Sequence, residues 1–297
     1  MIDELIEFDD VGGKSGDAED NEKALEMPTL EQFLKQNNKR KEEIPKEARD
    51  GGLKIIAYKT NKHRIKQRPL MKNGVIPIHP SSVLFNGRSG SGKSNLMVNL
   101  LTRPEFYGRT DRNDEKTHYF DLIFLFSPTA HGGDDLVRYL NLPEKRIFTD
   151  FDLNALNNII STQEGLIKQK GLLKSPKILL LLDDIQSDSK FLRSKEILRC
   201  FIQNRHLNIS TWLCGQSWKL TPRPCRLQAN NVFFYPGSGS EMQVLAEEFT
   251  PPKMNKKEFL SLANHATNEM YNFLHINMRQ PPRTRFRKNL DVVLEIE

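Results

Sequence analysis

The apolar positions of this 297-residue chain fall into short, nearly unbroken runs, separated by stretches where they recur every three or four residues. Runs at Leu53–Tyr58, Val75–His79, Ser82–Asn86, Asp121–Phe126, Lys177–Asp183, Ile209–Cys214 and Val232–Tyr235 have strand length, and Arg146–Thr149 is a shorter candidate. A strand that is apolar on both faces is one that is buried on both faces. Between these runs, Asn95–Leu101, Phe151–Lys168 and Phe191–His206 read as helices. In the second of them Leu153, Leu156, Ile159, Ile160 and Leu166 gather mostly along one side. Strands alternating with helices predict an α/β three-layer sandwich around a mainly parallel central sheet.

Both ends of the chain depart from this pattern. Val11–Asn21 is rich in Gly, Asp and Glu and has too little apolar surface to order itself. Thr29-Leu30-Glu31-Gln32 is a capping box that opens a short helix, and the charged stretch Lys39–Lys46 closes it. After Thr250, Pro251-Pro252 breaks the chain. A short helix at Lys256–Ala263, a strand at Tyr271–Ile276 and an edge strand at Asp291–Ile296 follow. The expected organisation is an acidic, largely disordered segment over residues 1–50, a core over 51–250, and a C-terminal extension over 251–297.

Charge sharpens this division. Residues 1–50 carry 15 acidic against 8 basic side chains, which leaves 36 basic against 23 acidic in the rest. A basic body favours a polyanionic partner, nucleic acid foremost. Arg279, Arg283, Arg285, Arg287 and Lys288 are candidate phosphate contacts, with a solvated loop as the alternative. No apolar run approaches the roughly 18 residues that span a bilayer, so no membrane anchor is expected. Cys200, Cys214 and Cys225 have no metal-ligand spacing and read as reduced thiols.

The candidate chemistry begins at Gly87-Arg88-Ser89-Gly90-Ser91-Gly92-Lys93-Ser94, which fits the G-x-x-x-x-G-K-[ST] phosphate-binding loop. It has the required context, a buried strand before it and a helix after it. Its glycines let backbone N–H groups turn inward around a phosphate chain. Lys93 can reach the β- and γ-phosphates, Ser94 can ligate Mg2+, and the helix N-terminus adds partial positive charge. ATP and Mg2+ are the cofactors this implies.

Ninety positions after Lys93, the run Ile178–Leu182 ends in Asp183-Asp184. Acids emerging from the C-terminal end of a buried strand stand where ligands bind in open α/β sheets. Asp183 is the candidate Mg2+ ligand and Asp184 the candidate general base for an attacking water. At least one strand falls between the two motifs. This points to the RecA-like class of P-loop proteins, which have an additional strand and a catalytic acid. Gln216 ends the next strand, where it can sense the γ-phosphate or orient water. Arg205 ends the preceding helix and is a candidate arginine finger for a neighbouring subunit, with Arg226 as its rival.

Together these residues resemble the FtsK–HerA superfamily of ring-forming DNA translocases, and within it the poxvirus-type genome-packaging ATPases of large DNA viruses and their smaller relatives. The resemblance rests on Phe126-Ser127-Pro128-Thr129, Leu181-Leu182-Asp183-Asp184, Asn204-Arg205-His206-Leu207-Asn208-Ile209-Ser210, Gly215-Gln216-Ser217 and the stretch Pro222–Asn230, and covers about Leu53–Phe249. The chain departs from the family at Asp184, where many members carry Glu, and at Gly215, where a small hydroxyl residue is common. The resemblance implies a homo-oligomeric ring with ATP sites at subunit interfaces, acting on double-stranded DNA independently of sequence. It implies a capsid or portal-vertex partner, and a location in the host cytoplasm at viral assembly sites or on the virion. In the loop after Gln216, Trp218, Lys219 and Arg223 are candidates for coupling hydrolysis to DNA movement, with simple packing of Trp218 as the alternative. Three other readings stay open: a nucleotide or nucleoside kinase, a cellular or conjugative DNA translocase, and a non-hydrolysing P-loop scaffold.

Overall fold

The computed structural model of the chain describes residues 68–108, 119–130 and 135–296. The candidate strand at Leu53–Tyr58 and the candidate helix after Thr29 lie outside the described residues. Nine strands form one sheet: β1 (Ser82–Asn86), β2 (Leu122–Phe126), β3 (Ile147–Phe148), β4 (Ile178–Leu182), β5 (Ile209–Gly215), β6 (Asn231–Phe234), β7 (Leu274–Asn277), β8 (Phe286–Lys288) and β9 (Val292–Leu294). Their spatial order is β3-β2-β4-β5-β1-β6-β7-β8-β9. From β3 to β6 all neighbours are parallel, and β7, β8 and β9 continue the sheet antiparallel.

β5 lies between β1 and β4, so the strand that leads into the glycine-rich loop is not adjacent to the strand that ends in the acid pair. The strand that lies between the two motifs in sequence, β2, flanks β4 on its far side instead, and β5, which follows both motifs in the chain, is the one inserted between them. Every residue of β1, β4 and β5 is buried, as expected of parallel strands covered on both faces. One face packs Val83, Phe85, Trp212 and Phe233 into a continuous apolar core with Leu100, Tyr107 and Phe120. Burying each large apolar side chain contributes roughly 1.5–3 kcal/mol. The sheet is therefore the rigid base from which the site projects.

The helices are α1 (Pro69–Lys72), α2 (Lys93–Thr102), α3 (Asp135–Leu140), α4 (Leu153–Lys170), α5 (Ser189–Leu192), α6 (Lys195–Ile202), α7 (Asn204–Leu207), α8 (Arg223–Gln228), α9 (Gly239–Phe249) and α10 (Lys256–Ala266). The expected single helix at Phe191–His206 is three pieces. Asp188 caps the first through the Lys190 and Phe191 N–H groups, and Ser194 starts the second by accepting from Ile197 N–H. Asn208, left-handed at φ 54°, ends the third. At Asp188 and Ser194, short polar side chains that bond the backbone locally outcompete a continuous helix.

Val75–His79, expected as a strand, has no strand in it. Pro77 and Pro80 remove two N–H donors from the segment, and Arg279 takes the carbonyls of Ile78 and Pro80. Burial pushes the Arg279 guanidinium down to about 10, with repulsion from Arg205 adding to the effect. Arg287 in turn donates to the Asn73 carbonyl. Two of the five candidate phosphate contacts are thus clamps that hold the chain before β1.

Candidate nucleotide-binding site

β1 ends at Asn86, and the chain then curls through Gly87–Gly92 into α2. Gly90 turns at φ +73°, and two further positions call for glycine. Gly92 has φ +100°, and at Gly87 a Cβ would run into the side chains of Tyr235 and Ser91. No side chain caps the first turn of α2, so its leading N–H groups are left for a ligand. Lys93 is buried, and its ammonium donates to the carbonyls of Gly87 (2.6 Å) and Arg88 (2.8 Å). The loop therefore keeps this lysine folded over itself, at the position a phosphate chain would share.

A cleft of about 460 Å3 opens beside the loop, lined by Ser89, Gly90, Gly92, Lys93, Ser94, Asn95, Thr129, Asp183, Asp184, Cys214 and Gln216. Gly87, Arg88 and Ser91 complete the loop without lining the cleft, and the Arg88 side chain is exposed. The structure thus brings together Lys93, Ser94, Asp183, Asp184 and Gln216, residues as far apart as 93 and 216 in sequence. Asp183 is buried and receives a hydrogen bond from the Cys214 thiol, whose ionisation burial pushes well up. The next residue, Asp184, sits in the left-handed region at φ 53°. For a residue with a Cβ this conformation costs on the order of 1 kcal/mol. It turns the carboxylate toward β5, where Gln216 Nε2 donates to Asp184 Oδ1 at 2.7 Å.

Gln186 was not singled out from the sequence, yet it fixes that geometry. Its Oε1 accepts from the N–H groups of Gln216 (2.8 Å) and Ser217 (2.9 Å), and its Nε2 donates to Ser217 O (2.7 Å) and Thr221 Oγ1 (3.0 Å). All its hydrogen-bonding capacity pins the loop after β5 to the turn after β4. The Gln186 amide also occupies the place a Cβ on Gly215 would take, which accounts for glycine there in place of a small hydroxyl residue. Further along, Glu241 accepts from Ser217 Oγ (2.7 Å) and Trp218 N–H (2.9 Å) while closing the capping box of α9 with Ser238. The pattern Ser238-x-x-Glu241 was a readable helix start. Gly237 and Gly239 stand on either side of its capping serine. Asn95, next to Ser94 in the chain, also lines the cleft, as do Thr129 and Cys214, which folding brings there from just after β2 and from β5.

The candidate coupling and finger residues separate clearly. Trp218 is fully buried against Phe234 and Phe249, whereas Lys219 and Arg223 are exposed. Arg226 is buried in an ion pair with Glu248 (2.7 Å) and donates to the Trp218 and Thr221 carbonyls, so its guanidinium is engaged inside the molecule. Arg205 is exposed on α7, before β5 begins, while Gln216 follows the end of the same strand. Seven residues of strand span roughly 20 Å. Arg205 therefore stands at the opposite edge of the sheet from its own cleft.

A cleft of this kind offers backbone N–H groups, a lysine, hydroxyls and carboxylates to a polyphosphate. The Ser94 hydroxyl and the Asp183 carboxylate are hard oxygen donors of the sort Mg2+ takes, so the residues fit that ion. Among the described residues, no helix is long and apolar enough to cross a membrane.

No protein-family model and no curated protein matches the sequence. Several solved structures are similar at low identity. The genome packaging NTPase B204 from Sulfolobus turreted icosahedral virus 2, in complex with ATP-γ-S, shares 16% identity over 67% of this chain and 93% of its own, with a TM-score of 0.47. ATPases 2 and 3 of EssC from Geobacillus thermodenitrificans share 14% identity over 67% of this chain and 38% of theirs, with a TM-score of 0.46. The N-terminal domain of zonular occludens toxin from Neisseria meningitidis shares 15% over 55% of this chain and 80% of its own, with a TM-score of 0.33.

Proposed function

We propose that this chain is an ATP-hydrolysing motor that moves double-stranded DNA, working as a ring that packages a viral genome into a preformed capsid at assembly sites in the host cytoplasm. The observation that carries the hydrolytic part is the Gln216–Asp184 hydrogen bond at the mouth of the phosphate cleft. A carboxylate held by a carboxamide on the neighbouring strand is suited to accept a proton from water while the amide orients it.

In this reading the loop Gly87–Gly92 and the first turn of α2 cradle the phosphates, and Lys93 leaves the Gly87 and Arg88 carbonyls for the β- and γ-oxygens. Ser94 and Asp183 would hold Mg2+, which would supply neutralisation of phosphate charge. Asp184 takes the proton of the attacking water, and Gln216 links the γ-phosphate position to the loop that Gln186 pins.

The DNA part is supported by charge and by the sequence resemblance. Between residues 189 and 230 there are eight Lys and Arg against one acid, Glu196, which is buried. Lys190, Arg193, Lys219 and Arg223 are exposed, and Gln186 ties the two loops that lead into them to one edge of the sheet. Contacts of lysine and arginine with phosphate suit a motor that must grip any sequence.

The test is ATP turnover with Mg2+, with and without long double-stranded DNA, in the wild type and in Lys93→Ala. DNA should stimulate turnover, and Lys93→Ala should lower it by about 100-fold or more through loss of transition-state charge stabilisation. Unchanged turnover in Lys93→Ala would refute the phosphate-loop assignment. Turnover that ignores DNA but requires a nucleoside acceptor would replace the motor with a kinase.

A further inference from the structure

Tyr271 is an unusual residue for its position. The sequence pattern places it inside a strand, but β7 begins only at Leu274. Tyr271 instead stands in the turn before β7 at φ +67°, a left-handed conformation that bulky residues rarely adopt. More than half of its side chain is exposed (61%), and so is that of Met270 beside it (79%). A strained backbone holding a large aromatic ring out of the core calls for a reason other than packing.

Its neighbour supplies one. A Cβ placed on Gly92 would lie 3.4 Å from Tyr271 Cδ1 and 3.8 Å from Tyr235 Cε1, so two tyrosines flank the last glycine of the phosphate loop. Tyr235 is buried and donates its hydroxyl to the Gly92 carbonyl (3.3 Å). It supports the loop from below, whereas Tyr271 leaves its ring open to solvent.

The direction of a bound nucleotide follows from the sheet order. The acids and Gln216 mark the γ-phosphate end, and they project from β4 and β5 on one side of β1. A chain of phosphates threaded past Lys93 toward that side must leave its nucleoside on the other, above β6 and β7. Because β7 runs antiparallel to β6 with Leu274 opposite Phe234, the residues just before β7 lie at the same edge of the sheet as the loop. Tyr271 is there.

We infer that Tyr271 is the nucleobase-binding residue of this site, its exposed ring stacking on the base of the nucleotide whose phosphates fill the loop. This rests on the nucleotide-binding reading above and adds to it the residue that distinguishes a nucleotide from a bare polyphosphate. Stacking recognises the face of a base rather than its hydrogen-bonding edge.

Calorimetric titration of ATP and of inorganic tripolyphosphate, each with Mg2+, tests it in the wild type, Tyr271→Ala, Tyr271→Gly and Tyr271→Phe. Tyr271→Gly relieves the positive φ and so removes the ring without added strain. Both ring-deleting variants should bind ATP about tenfold more weakly, bind tripolyphosphate as the wild type does, and recover ATP affinity in Tyr271→Phe. Unchanged ATP affinity, or an equal loss for tripolyphosphate, would overturn the assignment. Failure of the wild type to bind either ligand would instead overturn the nucleotide-binding reading on which it stands.

Discussion

Asp184 combines a left-handed backbone, φ 53°, with a carboxylate that accepts from Gln216. Its place after a buried apolar run made it a candidate base from sequence alone, because the run and the acid are contiguous. Its left-handed backbone and its bond to Gln216 were not legible, because they depend on β5 arriving beside β4. The same holds for Gln186, whose four hydrogen bonds reach residues thirty to thirty-five positions away. If Asp184 removes the proton from water, Asp184→Asn should bind ATP within about twofold of wild type yet hydrolyse it about 100-fold more slowly. Single-turnover hydrolysis measured alongside equilibrium nucleotide binding separates the two effects. Hydrolysis within a few-fold of wild type would remove Asp184 from that role.

At the scale of elements, the parallel strands were the legible part, since an unbroken apolar run has few other destinations in a chain of this size, whereas Val75–His79 is no strand and β8 lies inside the basic stretch Arg279–Lys288. The helices were less so. Ser194 and Gln203 interrupt one expected helix and leave three, and the capping box that starts α9 stands between two glycines. α8 and α9 matter because they meet at Arg226 and Glu248, together with the Trp218 indole, whose Nε1 donates to Glu248 at 3.1 Å. Both ionic side chains are less than a tenth exposed. Removing one member of a buried pair strands the other, at a cost of about 3–5 kcal/mol. Arg226→Met should therefore shift the denaturant midpoint sharply downward, while Arg226→Met with Glu248→Leu should regain most of the loss. An Arg226→Met protein with wild-type stability and no ATP turnover would contradict this and return Arg226 to the arginine-finger role.

For the whole molecule, the strand read between the two motifs along the chain, β2, lies beyond β4, while β5 from later in the chain separates β4 from β1; order in the sheet does not follow order in the sequence. The three C-terminal strands extend the same sheet, and two arginines expected on DNA instead hold the chain before β1. What one chain lacks is an arginine reaching into its own cleft from α7, since Arg205 lies beyond the far end of β5. If Arg205 serves a neighbour, mixing Arg205→Ala chains with Asp184→Asn chains should restore ATP turnover in part, as some interfaces then pair an intact cleft with an intact arginine. No recovery at any mixing ratio would place Arg205 outside the reaction. β5 then takes on a mechanical meaning. It is a fully buried strut clamped between two parallel strands, with Gln216 just past one end and Arg205 just before the other. In the ring proposed above, a displacement of Gln216 on hydrolysis would then travel along a stiff rod to Arg205 and the adjoining site, with no hinge between them.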